Sequence, residues 1–107
     1  AYDPLAIPAA AAWDMATYQG ARCIGYENLG KLEEGFLADI VLYDMNKPYW
    51  HPRHDRLSLL VYAANAGDAD TAIINGKVVM EKKEVKTLDA EKIYAKADAI
   101  ARRLTGK

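Results

Sequence analysis

Residues 71–80 constrain the fold more than any other part of the chain. Two apolar runs, 71–74 and 77–80, are separated by the dipeptide Asn75-Gly76. Asn-Gly readily adopts the positive φ angles of a type I′ turn, which joins two antiparallel strands through two residues. The sequence therefore predicts a β-hairpin here, and residues 84–87 are a candidate for a further short strand.

A second strand is expected upstream of the hairpin. Residues 40–43 form a β-branched and aromatic run between Asp39 and Asp44, a pattern typical of a strand buried on both faces. Residues 27–35 are polar and contain glycines, so we predict a loop there. Residues 46–52 contain two prolines, which favour an extended crossing segment.

The N-terminal region is predicted to be helical. Asp3-Pro4 and Ile7-Pro8 favour a helix start, because proline is tolerated in the first turn. Small or apolar residues then recur in steps of three and four. We expect a helix to about Gln19, an interruption at Gly20, and a short helical turn that closes at Gly25.

Two further helices have recognisable start signals. Asp55 is a plausible N-cap for a buried helix that residues 65–67 would end. Asp89 is expected to cap the last helix, whose apolar residues form a single stripe and so require a packing partner: Ile93, Ala97, Ile100, Ala101 and Leu104.

Composition excludes several classes of protein. A chain of 107 residues, 51% of them hydrophobic, can form one domain with a modest core. The net charge of −1 is interspersed, unlike the basic surface of a nucleic-acid binder. No apolar run approaches the roughly 18 residues of a membrane span, and no signal peptide is recognisable. With its single Cys23, the chain is expected to be soluble and cytoplasmic.

Metal-ligand residue types are concentrated at His51, His54 and Asp55. A zinc site needs three or four converging ligands, and two histidines three apart supply two at most. The alternative interpretation is a structural crossing loop in which His54 or Asp55 caps the next helix. We favour this interpretation, and assign no metal ligand.

Other reactive groups also have structural explanations. Cys23 could be a nucleophile, but its apolar neighbours favour a buried structural cysteine. Glu33 and Glu34 could pair as acid and base, although a solvated charged turn explains them better. Gly30 and Gly35 do not form a phosphate loop, because no lysine and hydroxyl complete that motif.

Two aromatic residues stand apart from the others. Tyr49 and Trp50 lie in the proline-bracketed segment and are candidates for contact with another domain, with an ordinary packed loop as the alternative. The remaining aromatic residues considered lie within predicted elements, where aromatic side chains usually pack with a polar tip free: Trp13, Tyr43, Tyr62 and Tyr94.

Several stretches resemble the C-terminal part of the metal-dependent amidohydrolase superfamily. They are residues 15–25, the glycine-punctuated run 30–41 and the hairpin 70–79. Residues 54–65 narrow the resemblance to the branch of 5-methylthioadenosine/S-adenosylhomocysteine deaminases and related chlorohydrolases. The resemblance covers essentially the whole chain.

The resemblance implies an α+β architecture: a short antiparallel β-sheet, part of a composite β-sandwich, flanked by helices that pack on a (β/α)8 barrel. In that family the barrel holds zinc or another divalent metal that activates water. The ligands would lie upstream of Ala1, so no catalytic, cofactor-binding or metal residue is assigned here. The implied partner is the remainder of the parent enzyme, with self-association also expected of an isolated chain, and no nucleic acid or membrane.

The resemblance also divides the chain into five regions: a late barrel helix region (1–28), a sandwich strand and crossing loop (29–50), a crossing loop and helix (51–68), the β-hairpin (69–88) and the C-terminal helix (89–107). Two functions remain open. The first is the C-terminal structural segment of a deaminase, or of a triazine, guanine or cytosine amidohydrolase, inactive alone. The second is a free-standing binding module. The absence of an initiator methionine at Ala1 favours the first.

Overall fold

An antiparallel sheet and four α-helices make up the computed structural model, which describes residues 6–106. The strands are β1 (Ile40–Tyr43), β2 (Ala69–Ile74), β3 (Lys77–Glu81) and β4 (Glu84–Val85). The helices are α1 (Ala9–Ala16), α2 (Tyr18–Cys23), α3 (Arg56–Tyr62) and α4 (Ala90–Thr105), with 3₁₀ turns at Pro48–Trp50 and Ala66–Asp68. The expected α+β class with a short antiparallel sheet is confirmed.

The predicted hairpin forms the centre of the sheet, whose strand order is β1-β2-β3-β4. Asn75 and Gly76 have φ angles of 50° and 76°, as a type I′ turn requires. The segment before β1 holds this turn: the Asn75 N–H donates to Asp39 Oδ1 at 2.7 Å, and the Gly76 N–H donates to the Ala38 carbonyl at 2.9 Å. The glycine-punctuated run and the hairpin are therefore one structural unit.

Strand β1 lies at an edge of this sheet. It pairs with β2, with Ile40 opposite Ile73, and has no second strand partner among residues 6–106. Val41 and Leu42 are 45% and 53% exposed. The expectation of a strand buried on both faces is thus wrong for this chain, because no described layer covers these side chains.

The N-terminal helical region breaks at Thr17 rather than at Gly20. Thr17 has φ −117° and ψ −91°, and its hydroxyl donates to the Trp13 carbonyl at 2.8 Å. Gly20 lies inside α2, where an added Cβ would stand 2.8 Å from the Met15 carbonyl oxygen. Glycine therefore permits the two helices to approach one another there. The start signal at Asp3-Pro4 lies outside the described residues.

Both predicted aspartate caps are confirmed. Asp55 accepts hydrogen bonds from the N–H groups of Leu57 and Ser58, and Asp89 accepts one from Lys92. Helix α3 is half-buried and ends at Tyr62, before a 3₁₀ turn.

The crossing segment is not extended throughout, as the prolines had suggested. Residues Pro48–Trp50 form a 3₁₀ turn, since proline at its first position needs no N–H partner there. No helix within residues 6–106 has the length and apolar character needed to cross a membrane.

Gly30 fixes the loop of residues 27–35 against the junction of α1 and α2. Its φ is 99°, and an added Cβ would lie 2.7 Å from the Thr17 carbonyl and from Tyr18 Cα. The Tyr18 ring meets the same loop, with Lys31 Nζ 4.1 Å from its centroid and the Phe36 ring 6.1 Å away. Backbone contact, not only conformation, therefore requires glycine at this position.

Gly30→Ala and Gly35→Ala form a matched pair that isolates this contact. Gly35 has φ 89° but nothing within 4 Å of an added Cβ, so its substitution should cost only the left-handed strain, about 1–2 kcal/mol. Gly30→Ala adds a collision with backbone and should cost roughly 1–3 kcal/mol more. Urea unfolding of the two variants measures the difference. Equal destabilisation would show that Gly30 makes no such close approach.

Candidate functional site

The most deeply buried polar group in the described chain is the Asp68 carboxylate. Asp68 and Trp50 are each 2% exposed. The Trp50 Nε1–H donates to Asp68 Oδ2 at 3.0 Å, and the Tyr49 hydroxyl donates to Oδ1 at 2.5 Å. The backbone N–H of Asn65 donates to Oδ2 at 3.0 Å. We refer to Tyr49, Trp50, Asn65 and Asp68 as the Asp68 cluster.

Two short turns bring the cluster together. The 3₁₀ turn that begins at Pro48 presents Tyr49 and Trp50, while Asp68 ends the second 3₁₀ turn immediately before β2. The Asp68 carbonyl also accepts a hydrogen bond of 2.7 Å from the N–H of Asp44, just after β1. The cluster thus joins the crossing segment to the start of the central hairpin.

Hydrogen bonding fixes the protonation states within the cluster. The Tyr49 hydroxyl, followed by the Asn65 N–H, lowers the pKa of Asp68 below its ordinary range. The same carboxylate raises the pKa of Tyr49 above 10.0. Near neutral pH the pair is therefore an ionised carboxylate and a neutral phenol. Since neither group titrates there, this arrangement favours an anchoring role over proton transfer.

The sequence did not point to Asp68. Its only local signal was an aspartate three residues after Asn65, the spacing of a capping box, which the structure does form. Of the two interpretations for the aromatic pair, the packed loop is confirmed for Trp50. Tyr49 remains 37% exposed although its hydroxyl is bound.

The candidate metal residues take structural positions. Asp55 caps α3, and the N–H of Ser58 is the main cause that lowers its pKa. His51 Nε2 lies 3.3 Å from the guanidinium of Arg53, which donates to the Met45 carbonyl. Within residues 6–106 no group of three or more His, Cys, Asp or Glu could hold a metal ion. The residues described here do not fit a zinc site.

The remaining reactive candidates are dispersed. Cys23 is exposed, so the expectation of a buried structural cysteine is wrong. It is the last residue of α2, and the side chain that α2 buries is that of Ala21 instead. Glu33 and Glu34 are both exposed, as a solvated turn predicts.

An open groove lies where α1, β1 and α3 meet. Its volume is about 670 Å³. Its lining is mainly apolar, with Asp14, Lys31 and Asp39 as charged members; the apolar side chains include Trp13, Ala16, Leu32, Ile40, Val41 and Leu60. A surface of this composition suits the burial of another apolar element better than acid–base chemistry.

Asp68→Asn tests the electrostatics of the cluster. Removing the negative charge should bring the pKa of Tyr49 down towards 10.0, because Asp68 is the main cause that raises it. It should also lower the melting temperature near neutral pH. In the wild type the ionised carboxylate stabilises the fold above its unfolded pKa of about 3.9, and this stabilisation is lost as pH falls through the lower folded pKa.

Phenolate absorbance against pH, with Tyr49→Phe to assign the transition, gives the first readout, and thermal unfolding against pH gives the second. Asp98→Asn, the same change at an exposed position of α4, is the control. A Tyr49 titration and melting temperature that are unchanged in Asp68→Asn would contradict this account.

Comparison with known proteins places this geometry in a family. The sequence profile of the amidohydrolase family matches residues 3–79. A 5-methylthioadenosine/S-adenosylhomocysteine deaminase of Dictyoglomus thermophilum is 48% identical over 98% of this chain and 25% of its own length. This chain therefore spans about a quarter of the length of the curated relatives it matches.

Solved structures agree with the sequence matches. The crystal structure of an adenosine deaminase from Xanthomonas campestris with bound zinc has a TM-score of 0.86 at 31% identity, covering 98% of this chain and 24% of that one. Atrazine chlorohydrolase from Arthrobacter aurescens TC1, complexed with zinc, gives 0.77 at 31% identity over 87% of this chain and 20% of that one. From its sequence and its fold, the chain belongs to the amidohydrolase family.

Proposed function

We propose that this chain is the C-terminal structural segment of a metal-dependent deaminase acting on adenosine-type substrates, namely S-adenosylhomocysteine or 5-methylthioadenosine. One observation carries the proposal: the relative that is 48% identical along 98% of this chain bears the name of that enzyme. Other relatives with the same name reach 50% and 52% identity. The similarity extends through the helices, the sheet and the final helix.

In this proposal the catalytic and metal-binding residues lie on the other three quarters of the polypeptide. The relatives are about four times as long as the aligned segment. The described residues offer no group of ligands for zinc, and the ionised Asp68 is already engaged by three donors. The segment would therefore contribute scaffold rather than chemistry, in a parent enzyme that we place in the cytoplasm.

The scaffold role assigns partners to two exposed surfaces. Upstream strands would pair with the free edge of β1 and complete a composite β-sandwich. A (β/α)8 barrel would cover the groove between α1, β1 and α3. Exposed apolar side chains at both places support this proposal, since Val41, Leu42 and Trp13 are 45%, 53% and 37% exposed.

A second candidate is a chlorohydrolase that acts on a triazine. The structural similarity to atrazine chlorohydrolase, with a TM-score of 0.77, favours it. Sequence identity to the deaminase relatives is higher, 48% against 31%, so deamination remains the first proposal.

Product analysis of the complete protein tests the proposal. With zinc bound, we expect ammonia release from S-adenosylhomocysteine or 5-methylthioadenosine, and loss of that activity on chelation with recovery on zinc addition. Chloride release from a chlorotriazine without ammonia release would establish the second candidate. A zinc-loaded, folded enzyme that releases neither product would overturn both.

Histidine variants within this chain test where the metal is held. His51→Ala and His54→Ala should each leave the zinc content and the turnover of the complete enzyme within about twofold of wild type, because neither side chain belongs to a ligand group. The matched change is His→Ala in an upstream His-x-His pair, which should remove zinc and activity together. Loss of zinc in His51→Ala or His54→Ala would contradict the proposed division of labour.

A further inference from the structure

Helix α4 carries a continuous apolar stripe along its whole length. Its 16 residues correspond to about 24 Å. The stripe residues follow alternating steps of three and four, which place them on one face. With Tyr94 and Ala101 beside them they form an arc of about 120°; these central residues are Ala90, Ile93, Ala97, Ile100 and Leu104.

This stripe has almost no cover within residues 6–106. Ile93, Ile100 and Leu104 are 46%, 40% and 76% exposed. No other helix or strand of the described chain packs extensively against α4. An isolated helix of 16 residues is marginal in water, because helices in proteins owe most of their stability to packing of an amphipathic face.

The two flanks of the stripe differ in charge. Lys92, Lys96 and Arg103 lie along one side. Glu91 and Asp98 lie along the other. A partner of complementary charge would therefore be acidic beside the first flank and basic beside the second, which also fixes the direction in which α4 can lie.

We propose that α4 docks in cis, with its stripe seated on an apolar surface of the part of its own polypeptide that precedes residue 1. The inference rests on the proposed function, which gives the protein an upstream portion of about three times this length. Tethering through β4 raises the effective concentration of α4 to the millimolar range. A modest apolar face therefore suffices for stable docking.

A second copy of α4 is a poorer partner. One face of a helix about 24 Å long and 10 Å wide covers roughly 240 Å², well below the roughly 600 Å² per partner of even a small specific interface. An antiparallel pair would also set Lys96 and Arg103 against the same basic flank of the other copy. Neither area nor charge favours this arrangement.

Ala97→Asp and Ala99→Asp in the complete protein make a matched test. The two alanines are two residues apart on α4 and both exposed, but they point about 160° apart around the helix. Ala97 is central to the stripe, and Ala99 lies opposite. A carboxylate at position 97 would lose its hydration on docking, so only that variant should release the helix.

Tryptic cleavage after Lys96, Arg102 and Arg103 under native conditions reports release. We expect cleavage at least about tenfold faster in Ala97→Asp than in wild type, with Ala99→Asp within about twofold. Light scattering should show the same oligomeric state for all three. Ile100→Ala, a milder loss of stripe area, should accelerate cleavage in the same direction if Ala97→Asp does not fold.

Two results would overturn the proposal. Equal cleavage in wild type, Ala97→Asp and Ala99→Asp would mean that the stripe is not docked. Dissociation of an oligomer in Ala97→Asp would identify a second copy as the partner. Because cleavage is read independently of turnover, an enzyme without deaminase activity would refute the proposed function while leaving this inference testable.

Discussion

The carboxylate of Asp68 is the interaction on which the arrangement of this chain depends. It accepts hydrogen bonds from two side chains of the crossing segment, Tyr49 and Trp50, and from the Asn65 backbone. A buried carboxylate without these donors would be strongly unfavourable, so the crossing segment, the 3₁₀ turn and the start of β2 must form together. The sheet and α3 take their relative positions from this single anchor.

The features that the sequence predicts well are those set by local chemistry. The Asn75-Gly76 turn needs positive φ at two adjacent residues, and the caps at Asp55 and Asp89 need only an oxygen beside free N–H groups. Each of these signals is complete within a few residues. The chain folds locally as these signals direct.

Features that depend on distant parts of the chain were missed or placed wrongly. Asp68 is recognisable as an anchor only once Trp50, 18 residues away in sequence, lies beside it. The apolar pattern of β1 predicts burial on both faces, yet the cover for Val41 and Leu42 is not supplied within residues 6–106. Periodicity identifies a surface that needs a partner but does not show which partner it has.

Three exposed apolar surfaces then have one explanation. The edge of β1, the groove beside α1 and the stripe of α4 are each larger than a self-sufficient domain of this size would leave uncovered. Membership of the amidohydrolase family, together with a match to only a quarter of the relatives' length, accounts for all three. On this account the chain is a structural part whose stability and function belong to a longer polypeptide.

Hydrogen exchange at β1 in the complete protein tests that claim most directly. The amides of Ile40–Tyr43 that do not bond to β2 have no strand partner within the described chain. If upstream strands extend the sheet, these amides should exchange at least about a hundredfold more slowly than exposed loop amides. Exchange at the rate of the loop at residues 33–35 would show that the edge is free, and would contradict a composite sandwich.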